Sequence, residues 1–435
     1  MERFALSRMK EWKENENRKP LIIRGARQVG KTWIMKTFGQ QYFEKTAYVN
    51  FDNNARMKQV FEGDLDIERL VLAISAETGV SIEAENTLII FDEIQEVPKA
   101  LTSLKYFHEN APQYAIVAAG SLLGVALHQG TSFPVGKVDF LDLYPLNFRE
   151  FLCAMGEKQF VSMLDSCDTQ MVTVFKTKYI ERLREYYFVG GMPEVVKDFS
   201  EKKDYNRVRA IQKNLINYYQ QDFSKHAEIK LVPRLNLVWN SIPMQLAKEN
   251  KKYIYGQVRE GSRAKDFELA IQWLLDCGLI HKVQRIQKPD LPLKAYIDFD
   301  AFKLFLVDIG LLIAMTDLDA KVIIEGNKIF TEFKGSLTEQ YILQQLISDV
   351  GVIPYYYSTQ NSKGEIDFLV QGKTSVIPIE VKAEENLKAK SLKAFCEKYQ
   401  SSYAVRTSMS DYREQDWMTN IPLYAIKWIE NYVNQ

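Results

Sequence analysis

Cysteine and histidine are scarce in this sequence. Four of each occur among 435 residues, and the cysteines stand far apart, with no CxxC pair and no histidine cluster beside them. This spacing excludes a structural zinc site of the usual ligand pattern and a disulfide framework. It is typical of a protein from a reducing compartment.

Long apolar runs and a secretory leader are also missing. No apolar run approaches the ~20 residues that a membrane-spanning helix needs. The first twenty residues are charged and lack the apolar segment of a signal peptide. We therefore expect a cytoplasmic protein with no membrane partner.

The chain has ample material for several globular domains, and its charge is unevenly distributed. It is 46% apolar and 26% charged, with a net charge of zero. Residues 176–265 nevertheless carry 19 Lys and Arg against 10 Asp and Glu, whereas residues 328–435 carry 12 against 13. The basic middle is typical of a surface that binds a polyanion such as DNA, and it fits equally well a helical region with solvated cations.

The strongest motif lies near the start, in PLIIRGARQVGKTWIMKTF, residues 20–38. An apolar strand precedes the Walker A pattern GxxxxGK[ST] and a helix follows it, which is the context that a phosphate-binding loop requires. Backbone N–H groups of the loop wrap the phosphates, Lys31 reaches the terminal phosphates, and the Thr32 hydroxyl ligates Mg²⁺. The predicted nucleotide-binding residues here are Gly25, Ala26, Arg27, Gln28, Val29, Gly30, Lys31, Thr32 and Trp33.

Two later strands supply the predicted partners of this loop. The apolar strand in TLIIFDEIQEVP, residues 87–98, ends at Asp92, which we expect to hold Mg²⁺. Glu93 follows and is placed to polarise the attacking water as a general base. A third apolar strand ends at Ser121, and in P-loop ATPases of the additional-strand type such a polar residue senses the γ-phosphate. The sequence therefore predicts ATP and Mg²⁺ as cofactors, with Lys31 and Glu93 as catalytic residues.

Two cations beyond this region allow two readings. Lys137 and Arg149 either contact a nucleotide, for example on a neighbouring subunit of a homo-oligomer, or are surface cations.

Residues 234–286 have the pattern of a winged helix-turn-helix. Two amphipathic helices are separated by a basic turn, the second helix ends at Cys277-Gly278, and LIHKVQRI then alternates like a wing strand. Such a module places its second helix in the DNA major groove or serves as a protein-binding element.

The last third contains GEIDFLVQGKTSVIPIEVKA, residues 364–383. Both apolar segments alternate with period two, so we expect paired strands that bring Asp367, Glu380 and Lys382 to one side. Glu339, on a preceding helix, is a candidate third carboxylate. Such a set predicts a Mg²⁺ or Mn²⁺ site in which Asp367, Glu380 and Lys382 are catalytic. The alternative is a structural network of ion pairs.

The helical Glu followed by D-x(12)-E-x-K resembles the PD-(D/E)xK nuclease superfamily, although no proline precedes Asp367. Taken in order, RGARQVGKT, FDEIQ, LYPLNFREF, GGMPE and EIDF…IEVK resemble the prokaryotic predicted AAA-type ATPases with a C-terminal domain of unknown function and a nuclease-like fold. The resemblance spans nearly the whole chain. It implies a multidomain α/β protein with an AAA-type P-loop ATPase core of the additional-strand kind over residues 1–155. A winged-helix middle over 156–310 and a restriction-endonuclease-like domain over 311–435 would follow.

Two functions remain open from the sequence. One is an ATP-hydrolysing enzyme that acts on DNA and cuts it with Mg²⁺. The other is an ATP-gated regulatory switch whose nuclease-like domain is inactive and binds DNA or a protein partner.

Overall fold

The computed structural model describes residues 1–120, 133–248, 251–324, 331–359, 364–385 and 389–435. These form two compact units. The N-terminal unit holds Glu2–Tyr144 and Asp276–Leu279, and the C-terminal unit holds Met1, Pro145–Leu275 and Ile280–Gln435. Since the contacts give no break at residue 310, the division at residues 155 and 310 stays a prediction. Among the described residues, no helix is long and apolar enough to cross a membrane.

The N-terminal unit is built on a parallel five-stranded sheet. Its strands are β1 (Leu21–Arg24), β2 (Lys45–Asn50), β3 (Thr87–Asp92), β4 (Ala115–Ala119) and β5 (Asp139–Asp142). The order across the sheet is β2-β3-β4-β1-β5. Strands β3 and β4 are buried throughout, as near-continuous apolar runs in a parallel sheet should be. Because β4 lies between β1 and β3, the order is the additional-strand arrangement predicted from the sequence.

Five helices of the N-terminal unit are described. They are α1 (Ala5–Glu14), α2 (Lys31–Tyr42), α3 (Ala55–Glu62), α4 (Ile67–Thr78) and α5 (Pro98–Asn110), with a short 3₁₀ turn at Ile94–Glu96. The core includes a cluster of aromatic rings in which Phe51, Phe61 and Phe91 contact one another edge to face at centroid distances of 5.4–5.8 Å. This cluster fixes β3, whose last residue is Asp92, against α3.

The C-terminal unit begins with helices. In chain order they are α6 (Phe148–Ala154), α7 (Lys158–Asp165), α8 (Thr169–Val174), α9 (Lys176–Val189), α10 (Pro193–Lys202), α11 (Tyr205–His226), α12 (Val232–Leu246), α13 (Tyr255–Val258) and α14 (Ala264–Asp276). Further along come α15 (Ile309–Met315), α16 (Ala320–Ile324), α17 (Thr331–Gln345), which continues as a π-helical turn over Leu346–Val350, α18 (Lys390–Tyr399) and α19 (Glu430–Val433).

A mixed eight-stranded sheet completes this unit. Its strands are β6 (Ile280–Ile286), β7 (Ile297–Leu306), β8 (Tyr355–Ser358), β9 (Glu365–Gln371), β10 (Val376–Val381), β11 (Val405–Ser408), β12 (Arg413–Glu414) and β13 (Thr419–Pro422). The order is β12-β13-β11-β10-β9-β8-β6-β7. Strands β9 and β10 pair antiparallel, as predicted.

The predicted wing strand is part of this same sheet. Strand β6 pairs with β7 as a hairpin, and its other edge pairs in parallel with β8. A wing that is free on one side would leave these backbone groups to water, whereas here both edges of β6 are hydrogen-bonded. The hairpin is therefore a sheet element that joins the middle of the chain to the strands carrying Asp367 and Glu380.

A buried carboxylate organises the helices of the C-terminal unit. Asp308 precedes α15 and accepts hydrogen bonds from the backbone N–H of Gly191 at 2.6 Å and of Leu311 at 3.1 Å. Burial raises the pKa of Asp308 to about 6, although these hydrogen bonds act in the opposite direction. The turn at Gly190-Gly191 is thus held to α15 across more than a hundred residues of chain. A Cβ atom on Gly191 would lie 2.1 Å from the carbonyl oxygen of Leu146.

We expect Gly191→Ala to destabilise the protein by about 1–3 kcal/mol, because backbone must move to admit the new methyl group. The change is measured as a loss in thermal or urea unfolding. The matched control is Gly335→Ala in α17, where nothing lies within 4 Å of the added Cβ. Its expected effect is a gain of about 1 kcal/mol, because alanine has the higher helix propensity. An unchanged stability of Gly191→Ala would contradict the assigned contact.

Candidate nucleotide-binding site and carboxylate cluster

The phosphate loop connects β1 to α2 through residues with positive φ. The φ angles of Gly25, Gln28 and Gly30 are 144°, 66° and 96°. At Gly25 a Cβ atom would lie 2.1 Å from the carbonyl oxygen of Leu143, so glycine is required there. The loop ends at Lys31, the first residue of α2, so the free N–H groups of that helix point toward the loop.

Lys31 is held inside the loop. Its Nζ donates hydrogen bonds to the carbonyl oxygens of Gly25 and Ala26, both at 2.8 Å. The residue is 7% exposed, and burial lowers the pKa of its amine to about 8, although Glu93 and Asp92 favour the charged form. The amine therefore lies where the loop would enclose phosphates, and it is less strongly charged than an ordinary lysine.

The carboxylate of Asp92, at the end of β3, is hydrogen-bonded to side chains of α2 and β2. Its Oδ2 accepts hydrogen bonds from the hydroxyls of Thr32 at 2.7 Å and Tyr48 at 2.9 Å, although Thr32 lies 60 residues away in sequence. The two predicted Mg²⁺ ligands are thus within hydrogen-bond distance of each other. Burial, together with Asp92, raises the pKa of Tyr48. Sequence reasoning missed Tyr48; its register beside β3 becomes visible only in the sheet.

Glu93 is held in an uncommon conformation. Its φ is 50°, in the left-handed region, and its backbone N–H donates to Oδ1 of Asp92 at 3.1 Å. The side-chain amide of Gln95 donates to Oε2 of Glu93 at 2.7 Å. Glu93 is one of seven described non-glycine residues with positive φ, and the role predicted for it as general base stays a prediction. Gln95 was not foreseen; it follows Glu93 by two residues and orients it.

The remaining predicted residues of this site have varied positions. Val29 is fully buried, whereas Trp33 is 43% exposed on α2. Ser121 lies outside the described residues. Lys137 pairs with Glu109 at 3.0 Å.

Arg149 is engaged within the C-terminal unit. It pairs with Asp165 and, at 2.8 Å, with the buried Asp349. Arg149 is therefore a structural cation of that unit, and neither a surface cation nor a free contact for a nucleotide.

Glu339 and Asp367 form a second cluster with two lysines. Glu339 on α17 pairs with Lys251 and, at 3.7 Å, with Lys303 on β7. Lys303 is 1% exposed and also pairs with Glu365 at 2.5 Å. Oδ2 of Asp367 accepts a hydrogen bond from the backbone N–H of Val381 at 2.7 Å. Glu339 and Glu365 thus have lysine partners, whereas Asp367 is hydrogen-bonded to the backbone.

The charges of this cluster depend on one another. Burial and the nearby Glu339 raise the pKa of Asp367 to about 7, while Lys303 and Lys251 oppose the rise. Burial would also raise the pKa of Glu339, but Lys251 and Lys303 outweigh it and hold that pKa below its usual value. Sequence reasoning missed both lysines. Lys303 could have been found, because it is a lone cation within the apolar run AFKLFL and must have a buried partner.

Glu380 and Lys382 pair with each other rather than with this cluster. Lys382 Nζ lies 2.7 Å from Oε1 of the buried Glu380, and Arg406 on β11 is the cross-strand neighbour of Glu380. The described residues contain no group of three or more His, Cys, Asp or Glu side chains that could hold a metal ion. The structure thus brings Glu339 to Asp367 and Glu380 to Lys382, but it does not assemble the three carboxylates expected for a metal centre. Lysine side chains pair with Glu339 and Glu380, while Oε2 of each carboxylate is buried without a hydrogen-bond partner among the described residues.

The lowered pKa of Lys31 predicts a pH-dependent affinity for ATP. The ammonium form attracts phosphates, and in the nucleotide-free protein it is lost as the pH rises through about 8. Because ATP must bind the protonated form, its dissociation constant should rise by up to about tenfold per pH unit above that value. Titrations between about pH 7 and pH 9 measure the change. In the control Lys31→Arg, the guanidinium stays charged and the dependence should flatten. An equal slope in both proteins would contradict this assignment.

Comparison with known proteins supports the description of the first segment. Residues 17–152 match the family model described as an AAA domain. Residues 180–322 and 334–426 match models described as domains of unknown function, DUF8612 and DUF4143. No curated protein matches the chain.

Solved structures give only distant likenesses. A Walker-type ATPase of Pyrococcus abyssi is 15% identical with a TM-score of 0.44, over 72% of this chain and 95% of that one. The Orc1 protein of Aeropyrum pernix, solved in complex with DNA, is 14% identical with a TM-score of 0.27, over 72% and 91%. These scores carry no argument about function. The family match and the site geometry identify residues 17–152 as an AAA-type P-loop ATPase domain.

Proposed function

We propose that the N-terminal unit binds ATP with Mg²⁺ and hydrolyses the nucleotide. The observation that carries this proposal is the contact of the Thr32 hydroxyl with Asp92 beside the amine of Lys31. The oxygen donors fit Mg²⁺, which would supply charge neutralisation at the phosphates when bound. Thr32 and Asp92 would hold it, directly or through water. The loop backbone and Lys31 bind and orient the phosphates.

Glu93 is the proposed general base. Its carboxylate follows Asp92 directly and is oriented by the Gln95 amide, so one oxygen can accept a proton from a water near the terminal phosphate. Ser121 as a sensor of the γ-phosphate and Trp33 as a contact to the nucleotide are further parts of the proposal. Trp33 has the exposure that a ligand-contacting indole needs.

The test of hydrolysis separates binding from turnover. We expect Lys31→Ala to lose nucleotide binding, because it removes the cation within the loop. Glu93→Gln should bind ATP with nearly normal affinity and turn it over at least about 100-fold more slowly. Phosphate release measures turnover, and the change in tryptophan fluorescence that is lost in Trp33→Phe measures nucleotide binding. Glu85→Gln, on the same unit before β3, is the matched control. Normal hydrolysis by Lys31→Ala would contradict the assignment of the ATPase site to this phosphate loop.

We propose that the C-terminal unit binds DNA or a protein partner and does not cleave DNA. The observation that favours this choice is the position of Lys251 and Lys303 among Glu339, Glu365 and Asp367. A metal site for phosphodiester cleavage needs carboxylates that a cation completes, and here lysine side chains pair with Glu339 and Glu365. The protein would then be an ATP-gated switch with a nuclease-like domain that does not cut.

The charges of the middle segment, residues 176–265, argue against insertion of its predicted recognition helix into duplex DNA. Many cations of residues 176–265 are engaged in ion pairs, among them Arg182 with Glu157 and Lys176 with Glu385. On α14, the predicted recognition helix, the exposed side chains include Lys265, Glu268 and Leu269, which is not a basic face. The protein-binding reading of this winged-helix-like segment is therefore favoured over insertion of α14 into a major groove.

We expect no cleavage of linear, circular or single-stranded DNA with Mg²⁺ or Mn²⁺, with or without ATP. Gel assays at several protein concentrations measure it. The decisive comparison uses Asp367→Ala and Lys382→Ala, which should leave ATP hydrolysis near normal. Cleavage by the unaltered protein that both substitutions abolish would overturn the binding proposal and establish a nuclease that uses these residues.

A further inference from the structure

Two helices of the C-terminal unit enclose an open groove of about 550 Å³. It runs between α11 and α12, which are joined by a short connection over residues 227–231. Every lining side chain is polar and uncharged. The lining residues are Asn217, Gln220, Gln221, Ser224, Asn236 and Asn240.

The amides of the groove are available to a ligand. None of the five Asn and Gln side chains makes a hydrogen bond within the part of the chain that the structure describes. Each amide offers an acceptor oxygen and two donor hydrogens on one rigid plane. Five such groups along one groove match a ligand that presents donors and acceptors side by side, as the edges of nucleobases do.

Aromatic side chains packed between α11 and α12 fix the spacing of these two helices. Tyr219 and Phe223 on α11 contact the fully buried Trp239 on α12, with ring centroids 6.1 and 5.9 Å apart. Side chains that pack in this way hold the groove open without a ligand, so little ordering is needed when one binds. The groove is thus a built feature of the helical pair.

Unpaired cations stand at one end of the groove. Lys225, Lys230 and Arg234 are exposed around the connection between the helices, and none has an acidic partner among the described residues. Lys213, on the same helix, is by contrast paired with Asp317 at 2.7 Å. Tyr218 on α11 is 46% exposed and lies outside the groove lining, about 100° around the helix axis from Asn217, where it offers a ring on which a base beside the groove can stack.

We propose that this groove binds single-stranded nucleic acid. The amides contact the exposed edges of bases, Tyr218 stacks on one base, and the cations near the helix connection contact phosphates. A duplex hides much of each base edge in its pairing, so a strand with free bases fits the groove better. The inference does not depend on ATP hydrolysis.

The experiment measures binding of labelled single-stranded DNA and RNA oligonucleotides and a matched DNA duplex by fluorescence anisotropy, without nucleotide, over a range of salt. The double variant Asn236→Ala/Asn240→Ala should bind about 10–100-fold more weakly, because base contacts are lost. Gln257→Ala, an exposed amide outside the groove, is its control. The DNA and RNA arms show whether the sugar matters.

The salt dependence tests the cations separately. In Lys225→Gln/Arg234→Gln the slope of log affinity against log salt should decrease by about 1.4 for a single strand. Lys213→Gln, on the same helix but paired with Asp317, should leave that slope unchanged.

Three results would each overturn the proposal. They are no binding of either single strand at low salt, tighter binding of the duplex, and unchanged affinity in the amide variant. If the double variant fails to fold, Asn240→Ala alone, at an exposed position, decides. Lys31→Ala should bind oligonucleotides normally, so a failure here is distinguishable from a failure of the ATPase proposal.

Discussion

The carboxylate of Asp92 is the constraint on which the nucleotide site depends. Asp92 is the last residue of the buried strand β3, and its Oδ2 accepts hydrogen bonds from hydroxyl groups on α2 and β2. One oxygen therefore links the helix after the phosphate loop to strands β3 and β2. A charge buried in this way is costly unless every lone pair is used. The hydroxyl groups of Thr32 and Tyr48 satisfy the carboxylate of Asp92, and a bound cation can replace these donors at the same oxygen. The same contact positions Glu93, because its backbone N–H bonds to the second oxygen.

The C-terminal unit treats buried carboxylates differently. Glu339 and Asp367 also lie close together, but here lysine side chains of the same chain pair with Glu339, and the backbone N–H of Val381 donates to Asp367. Such pairs are strongly destabilised when one partner is removed, whereas intact they contribute little net stability. The two carboxylate sites of the protein thus differ in their neighbours, which are hydroxyl groups at Asp92 and lysine ammonium groups at Glu339.

Structural features could be predicted from the sequence where the residues that form them are close together in the chain. The phosphate loop, with Gly25 to Thr32 contiguous in sequence, was readable because strand, loop and helix follow one another. The pairing of β9 with β10 was readable from alternation and a short turn. Lys251 could not be placed beside Glu339, because the two are 88 residues apart and no periodicity links them. The second edge of β6 was also beyond reach, because parallel pairing with β8 depends on the order of the whole sheet.

The double pairing of β6 also determines where the C-terminal unit can be divided. A strand bonded on both sides is an interior strand, and its amide hydrogens exchange with solvent only when the sheet itself opens. A fragment that ended before β8 would leave Arg285 and Ile286 at the end of β6 without the partners that Tyr356 and Tyr357 provide on that edge. Exposed edges of this kind template pairing between molecules and lead to aggregation. The pairing of β6 with β8 therefore links the segment before residue 310 to the strands after it, in agreement with the single compact unit that these segments form.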